Sequence, residues 1–226
     1  MVTLTSSLQI HTVPKCLIVR FPQMFQCLSW APWKGGETSA SAVVNRQVNL
    51  HGTGSSDKIA GDFQRLLTAN GLVPEDTIGL MTAANVSAYH DCLFMSSGAW
   101  VHVVGTVGLS NARSVLDDAD VELGCRSGSS GTVNLVVATN ALPTIGGRAQ
   151  AIHIAASAKA AAFRDSGVTS RKTDRPADLT GTDCLVVGAS GEIAEDHCGL
   201  HTVLGEMIGR AVYTVVSRGV AGLSRT

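Results

Sequence analysis

Aromatic side chains are scarce in this chain, at 4% of its 226 residues, and charged residues are also few, at 15%. Hydrophobic residues reach 45%, which is enough for a sizeable core and argues against a disordered protein. With 24 glycines, the core is expected to consist mainly of Ala, Val, Leu and Ile, joined by many tight turns. The length suits one large domain or two small ones, and we predict a single domain over residues 1–226.

The chain has almost no net charge, since 17 basic residues stand against 18 acidic ones. Neither nucleic acid nor an anionic membrane surface is therefore an expected partner. No apolar stretch is long enough to span a bilayer, and the first residues lack the basic segment followed by an apolar one that marks a secretory signal. These absences predict a cytoplasmic protein.

The six cysteines form no Cys-x-x-Cys pair, which makes a zinc knuckle an unfavoured interpretation. In a cytoplasmic protein they are expected to be reduced thiols. We predict no metal site from this pattern.

Apolar runs and helical spacing predict an irregular succession of strands and helices. Strands are expected at Cys16–Phe21, 25–30, Ala42–Leu50, 78–86, 99–109, in the apolar run after Thr132 and at 183–190, and helices at 55–72, 143–168 and 199–223. Regular strand–helix–strand alternation is missing from this order. It therefore predicts an α+β fold, a single domain with a mixed, mostly antiparallel sheet packed with helices.

No generic catalytic motif is present, since the chain has no phosphate-binding loop with its lysine and no His-Glu-x-x-His. What recurs is a small polar side chain where a predicted strand meets a glycine turn. Each alone is explained by capping or bending the backbone. Together they favour a working edge, because amide chemistry needs fixed donors aimed at a developing oxyanion. The candidates are Asn45, Asn49, Thr82, Asn111, Thr132, Asn134, Thr180, Thr182 and Asp183.

Asp183 stands directly before the apolar run "CLVVG" and has two interpretations. It is either the polar start of a buried strand or a working carboxylate. Two further candidates lie in "GLHTVLGE". His201 is at the predicted start of the last helix, where the helix dipole disfavours a charged imidazole and suits a neutral base. Glu206 follows five residues later, so the two side chains do not share a helix face closely. A histidine hydrogen-bonded near a helix cap is the structural alternative.

Lys159 is the one lysine in the Ala-rich stretch "AASAKAAAF". A lone lysine on such a helix most often faces solvent. The alternative is an inward lysine beside Asp183 or beside a substrate carbonyl.

Seven stretches, taken in order, resemble one known family. They read "LSWAPWKGGETSASAVVNRQVN", "GLMTAANV", "VVGTVGLSNA", "GTVNLVVATNAL", "AASAKAAAFRDSGV", "TGTDCLVV" and "GLHTVLGEMIGRAV". No single stretch is specific, but the ordered set is similar to the adenosylcobinamide amidohydrolases, the CbiZ family. The resemblance runs from about Cys27 to Val216.

One departure from the family pattern lies before Asp183. The family resembles Ala-Thr-Gly-Thr-x-Thr-Asp there, and this chain keeps Ala177, Thr180, Thr182 and Asp183. It has "DL", residues 178–179, in place of Thr-Gly. This difference puts fine substrate preference in doubt more than activity.

The resemblance implies a corrinoid-salvage enzyme that hydrolyses the amide between the aminopropanol arm and the corrin ring of adenosylcobinamide. The products would be adenosylcobyric acid and 1-amino-2-propanol, with pseudocobalamin as a further substrate. Cobalt would arrive inside the substrate, so no cofactor is expected. The partner would be the corrinoid itself, and a homo-oligomer stays open.

An amidase must activate a nucleophile, stabilise an oxyanion and protonate the departing amine. We expect Asp183 or Glu206 to activate water and His201 to protonate the amine. Asn111, Asn134 and the Thr132 region would hold the oxyanion and the amide side chains of the ring, and Lys159 is a further substrate-binding candidate. Thr132 as nucleophile is the weaker option, suggested by Gly-Thr junctions in self-processing amidases, where cleavage frees a threonine amine. The rival function is a non-catalytic corrinoid carrier or sensor.

Overall fold

A computed structural model describes residues 8–49, 56–120, 131–142 and 144–223. Its strands are β1 Gln9–Val13, β2 Cys16–Ser29, β3 Gly36–Gln47, β4 Thr77–Thr82, β5 His90–Ser96, β6 Ala99–Thr106, β7 Ala112–Arg113, β8 Asn134–Thr139, β9 Leu179–Thr180 and β10 Cys184–Ala189. Its helices are α1 Ser56–Ala69, α2 Ile145–Asp165 and α3 Val203–Leu223, and short 3-10 turns precede β4 and β5.

The main sheet has the order β4-β3-β2-β10-β8-β6-β5, and β1 pairs with the free part of β2. Within the described ranges, five of its strand pairings are antiparallel, and β8–β10 and β3–β4 are parallel. Strands β7 and β9 form a separate two-stranded sheet. The predicted α+β fold with a mixed, mostly antiparallel sheet is confirmed.

The sheet folds over, so that its two halves share an inner core. Val43 of β3 and Leu80 of β4 belong to the same buried cluster as Val136 of β8 and Val186 of β10. Strands β3 and β8 are not neighbours in the sheet, so these side chains meet across the fold and not along it. Helices therefore cover only the outer faces.

Along each strand, successive side chains point alternately to the outer face and to the inner core, as the two-residue period of a strand requires. Leu135 and Val137 of β8 pack under α2 and α3. Ala42 and Val44 of β3 pack under Phe63 of α1. The order is thus α2 and α3, two layers of sheet, then α1.

Local chemistry explains where the helices begin and end. The Thr144 side chain accepts a hydrogen bond from the Gly147 amide and caps α2, and the Thr202 side chain does the same for α3 with Gly205. Gly71 follows α1 with a φ of 63°, a left-handed conformation that glycine adopts without strain. The last helix was expected from residue 199 but begins at Val203. Pro143, in the predicted second helix, is outside the described residues.

Several strand predictions differ from the structure. Strand β1 was not predicted, and the strand expected at Ala42–Leu50 is β3, Gly36–Gln47. The strands expected at Cys16–Phe21 and 25–30 are one strand, β2, whose register with β3 shifts between Arg20 and Phe25. An irregularity of this kind bends a strand. Strand β5 was also missed, although its sequence contains the short apolar run "CLFM", residues 92–95. No described helix is long and apolar enough to cross a membrane.

Because Leu135 is buried under the helices and Leu116 is exposed, their substitution should change the free energy of unfolding by different amounts. Leu135 is 1% exposed and Leu116 is 69% exposed. Leu135→Ala should lower the free energy of unfolding by about 2–5 kcal/mol, because it removes buried methyl groups and leaves a cavity. Leu116→Ala should change it by less than about 0.5 kcal/mol, as exposed substitutions do. Chemical denaturation of both variants measures this, and equal losses would contradict the layer assignment.

Candidate active site

Asp183 lies just before β10, and its carboxylate ties three parts of the chain together. One oxygen accepts from the Val133 amide at 2.9 Å and from the Thr180 hydroxyl. The other accepts from the Thr180 amide at 3.0 Å and from the Lys159 ammonium. A carboxylate has about four lone-pair sites, and all four are occupied here. Asp183 therefore has no site left for a water that it could activate in this arrangement.

Lys159 points inward from α2, which corrects the preference for a solvent-facing lysine. The side chains of Lys159 and Asp183 are each 10% exposed, so the two form a nearly buried ion pair. Asp183 is the hydrogen-bond partner that the described residues give to the ammonium. Since an ammonium has three donors, two stay free to meet a substrate oxygen.

A second network joins the two layers of sheet through buried amides. The Asn134 side chain donates to the Asn45 side-chain oxygen at 2.8 Å and to the Met81 carbonyl at 2.9 Å. Asn45 in turn donates to the Thr106 hydroxyl at 2.9 Å. Each amide group is satisfied, as buried polar networks require. The network fixes the spacing between the layers beside Asp183.

Thr132 connects these two networks. Its buried hydroxyl donates to the Thr182 carbonyl at 2.7 Å and contacts the Asn134 side-chain oxygen at 3.4 Å. The Thr182 hydroxyl donates to the Gly131 carbonyl at 3.4 Å. Within the described residues the Thr132 oxygen accepts no hydrogen bond, so its lone pairs are available there.

These residues share one edge of the sheet, where β8 and β10 begin; we call it the amino edge. A cavity of about 660 Å³ opens there and is lined by His90, Ser110, Gly131 and Arg171, among others. The opposite, carboxyl edge is where β8 and β10 end, at Thr139 and Ala189. Six residues of strand separate the two edges by roughly 17 Å.

His201 and Glu206 lie at the carboxyl edge, away from Asp183. The segment before α3 contacts the start of α2, where Cys198 approaches the Gly147 carbonyl at 3.5 Å. His201 is exposed, and Glu206 pairs with Arg210 at 3.0 Å on the surface beside an apolar groove. The structure does not bring the expected acid His201 to the expected base Asp183.

The remaining candidates have mainly structural contacts. The Thr82 hydroxyl accepts from the Ala84 amide at 3.0 Å and shapes the turn after β4. The Asn111 carbonyl accepts from the Gly181 amide at 3.0 Å and holds the loop before Asp183. Asn49 is exposed in a separate cleft beside Lys15 and Arg46.

Sequence similarity covers the whole site. The family profile for adenosylcobinamide amidohydrolase, CbiZ, matches residues 1–225. The chain belongs to this family. Both edges and both networks described above lie inside the matched region, so the family likeness does not choose between them.

Two individual proteins are also similar. The uncharacterized protein MJ1613 of Methanocaldococcus jannaschii is 42% identical over 83 residues, which cover 36% of this chain and 32% of that protein. The chain thus matches about a third of the length of this relative. The crystal structure of the PH0078 protein from Pyrococcus horikoshii OT3 covers 95% of this chain and 82% of its own, with 10% identity and a TM-score of 0.42.

Sequence reasoning missed two residues of this site in the CbiZ-family chain. Thr106 ends β6 and completes the amide network, although its stretch "VVGTVG" offered the same signal as the other candidates. The Trp30 indole donates to the Asp183 carbonyl at 2.7 Å while 53% of the residue stays exposed. Only its long-range contact, across the sheet, distinguishes it from an ordinary surface aromatic.

Within the described ranges, no group of three or more His, Cys, Asp or Glu is placed to hold a metal ion. The expectation that cobalt comes with the substrate stays a prediction. Of the six cysteines, Cys125 lies outside the described residues, and the other five are free thiols.

The buried ion pair should contribute more to the free energy of unfolding than an exposed ion pair does. Lys159→Met should lower the free energy of unfolding by about 3–5 kcal/mol, because it leaves the Asp183 carboxylate buried without its cation. Arg210→Met, which breaks the exposed pair with Glu206, should cost under about 1 kcal/mol. Combining Lys159→Met with Asp183→Asn should recover part of the loss. Equal denaturation midpoints for the two single variants would contradict the inward Lys159.

Two buried cysteines, Cys184 beside Asp183 and Cys27 on β2, should be inert. Burial raises the pKa of Cys184, which follows Asp183, to about 12, and burial also raises the pKa of Cys27 to about 12. The reactive thiolate forms only as the pH rises toward that value, so almost none is present at pH 8. Iodoacetamide at pH 8 should therefore leave both unmodified in the native protein and label them after denaturation. Fast labelling of native Cys184 would contradict this.

Proposed function

We propose that this protein hydrolyses the amide that joins the aminopropanol arm to the corrin ring of adenosylcobinamide. The products are adenosylcobyric acid and 1-amino-2-propanol. The observation that carries the proposal is the family match over residues 1–225 in a chain whose amino edge holds a buried lysine–aspartate pair beside a cavity. The same amide occurs in complete cobamides, so pseudocobalamin is a second substrate to be assayed.

The contacts at the amino edge support a division of labour that differs from the one expected from sequence. Asp183 acts as a positioning carboxylate, because its four acceptor sites hold Lys159, Thr180 and the Val133 amide. Lys159 then presents its free donors to the oxyanion or to the leaving nitrogen, where a positive charge is most useful. Thr132 supplies the attacking hydroxyl, since its lone pairs are free.

The surroundings suit a broad, flat ligand edged with amides. Trp30 presents an exposed indole face beside Asp183, on which the corrin ring can stack. On the other side of Thr132, the cavity offers the side chains of Ser110 and Arg171 and the backbone of Gly131. Short polar groups around an apolar platform are what such a ligand needs. A cytoplasmic location fits this role and stays a prediction.

Substitutions at the two edges of the sheet should affect turnover differently. If the amino edge is the active site, Asp183→Asn should lower the release of 1-amino-2-propanol from adenosylcobinamide by at least about 100-fold, because Lys159 loses its positioning charge. Glu206→Gln should retain turnover, because Glu206 lies at the carboxyl edge. Mass spectrometry of the released amine measures both, and equilibrium binding of adenosylcobinamide checks that each variant still binds.

If Glu206→Gln abolished turnover and Asp183→Asn did not, the active site would lie at the carboxyl edge, with Glu206 and His201 as its acid–base groups. Tight corrinoid binding by the unaltered protein without amine release would favour the carrier or sensor. A protein that binds no corrinoid would contradict both corrinoid functions.

A further inference from the structure

The peptide bond between Gly131 and Thr132 is held from several sides. The Gly108 amide donates to the Thr132 carbonyl at 3.1 Å, and the next amide, Val133, donates to Asp183. On the other side, the Thr182 hydroxyl donates to the Gly131 carbonyl at 3.4 Å. The backbone on both sides of the bond is therefore positioned by hydrogen bonds with Gly108, Thr182 and Asp183, which are distant in the chain.

Residue 131 has to be glycine at this place. Its φ is 126°, a conformation that other residues rarely adopt. A Cβ atom there would overlap the Ser110 hydroxyl and would lie 2.8 Å from the Asn111 amide nitrogen. Gly131 is buried, and it is one of the residues that line the cavity at the amino edge.

Thr132 places a hydroxyl immediately after this carbonyl. The hydroxyl is buried and fixed by the Thr182 carbonyl at 2.7 Å, with its lone pairs free. The Thr182 residue thus contacts both partners of one reaction, since its carbonyl orients the nucleophile and its hydroxyl donates to the carbonyl under attack. A donor at that carbonyl oxygen stabilises a developing oxyanion.

We propose that the chain cleaves its own Gly131–Thr132 peptide bond. The Thr132 oxygen adds to the Gly131 carbonyl carbon, and the hydroxyl proton passes to the Thr132 nitrogen. The C–N bond breaks, which leaves Gly131 attached to Thr132 as an ester with a free α-amine. Water then adds to the ester, so that Gly131 ends as a carboxylate and Thr132 regains its hydroxyl. The overall reaction consumes one water and needs no other reactant.

Cleavage provides the base that the site otherwise lacks. Asp183 has no free acceptor, and His201 lies at the other edge, but a new α-amine would stand beside the Thr132 hydroxyl. An unperturbed α-amine has a pKa of about 7.7–8.0, so much of it is neutral near physiological pH. It can accept the hydroxyl proton when Thr132 attacks a second amide. This consequence for catalysis rests on the proposed function, whereas the cleavage itself does not.

The two products would stay associated without a covalent link. Residues 1–131 carry β1 to β7, and residues 132–226 carry β8 to β10 with α2 and α3. Strand β10 pairs with β2, and β8 pairs with β6, so each product completes the sheet of the other. A native preparation should therefore keep one folded particle after cleavage.

Intact-mass spectrometry under denaturing conditions tests the inference on the full-length protein. We expect two polypeptides, residues 1–131 and 132–226, whose masses sum to that of the uncut chain plus one water. N-terminal sequencing of the smaller product should read Thr-Val-Asn-Leu. Thr132→Ala should stay in one piece, and Thr132→Ser should still cleave because it keeps a hydroxyl. Thr77→Ala, which removes another buried threonine hydroxyl away from this edge, should cleave like the unaltered chain.

A folded wild-type protein that stays a single chain overturns the inference, and this outcome does not depend on whether any variant folds. Cleavage of Thr132→Ala at the same bond also overturns it, since a contaminating protease would then be the cause. The two proposals fail separately. A cleaved chain that releases no amine from adenosylcobinamide contradicts only the corrinoid function, and an intact chain that releases it contradicts only self-cleavage.

Discussion

The buried ion pair between Lys159 and Asp183 is the constraint on which the amino edge depends. One carboxylate accepts hydrogen bonds from a cation of helix α2, from the amide just before strand β8 and from the turn that leads into β10. Removing both charges from water is costly, and the cost is offset only when every remaining acceptor is satisfied. The four donors around Asp183 meet that condition. Helix, strand and loop are therefore set relative to each other by one group, and the hydroxyl of Thr132 is placed as a result.

The second requirement is that the sheet folds over. Asn45 and Asn134 are far apart along the sheet order, yet they bond directly because two layers face each other. An amide can both donate and accept, which lets it bridge layers whose backbones run at different angles. A hydrophobic core alone would let the distance between the two layers vary. The amides fix the spacing of the two layers beside Asp183.

Much of this could be read from the sequence, and the limits have physical causes. Short-range patterns predicted all three helices, the mixed sheet and the polar residues at strand ends, because caps and periodicity are local. The sequence could not predict that Lys159 points inward. A lysine in an Ala-rich stretch has the same pattern whether its ammonium meets water or a carboxylate. Grouping His201 with Asp183 was likewise a long-range assumption. Sequence proximity to β10 gave no information on which end of the strand the α3 start would meet.

Strand β10 lies between β2 and β8 although it comes after both in the chain. During synthesis, the ribosome releases the β2 and β3 hairpin long before residues 184–189 exist, so the sheet stays divided until nearly the whole chain has emerged. Contacts between residues so far apart in the sequence form slowly, because the chain loses loop-closure entropy before the strand pairing stabilises it. Asp183 precedes that strand by one residue. The edge that it organises can therefore form only after residues 184–189 have been made.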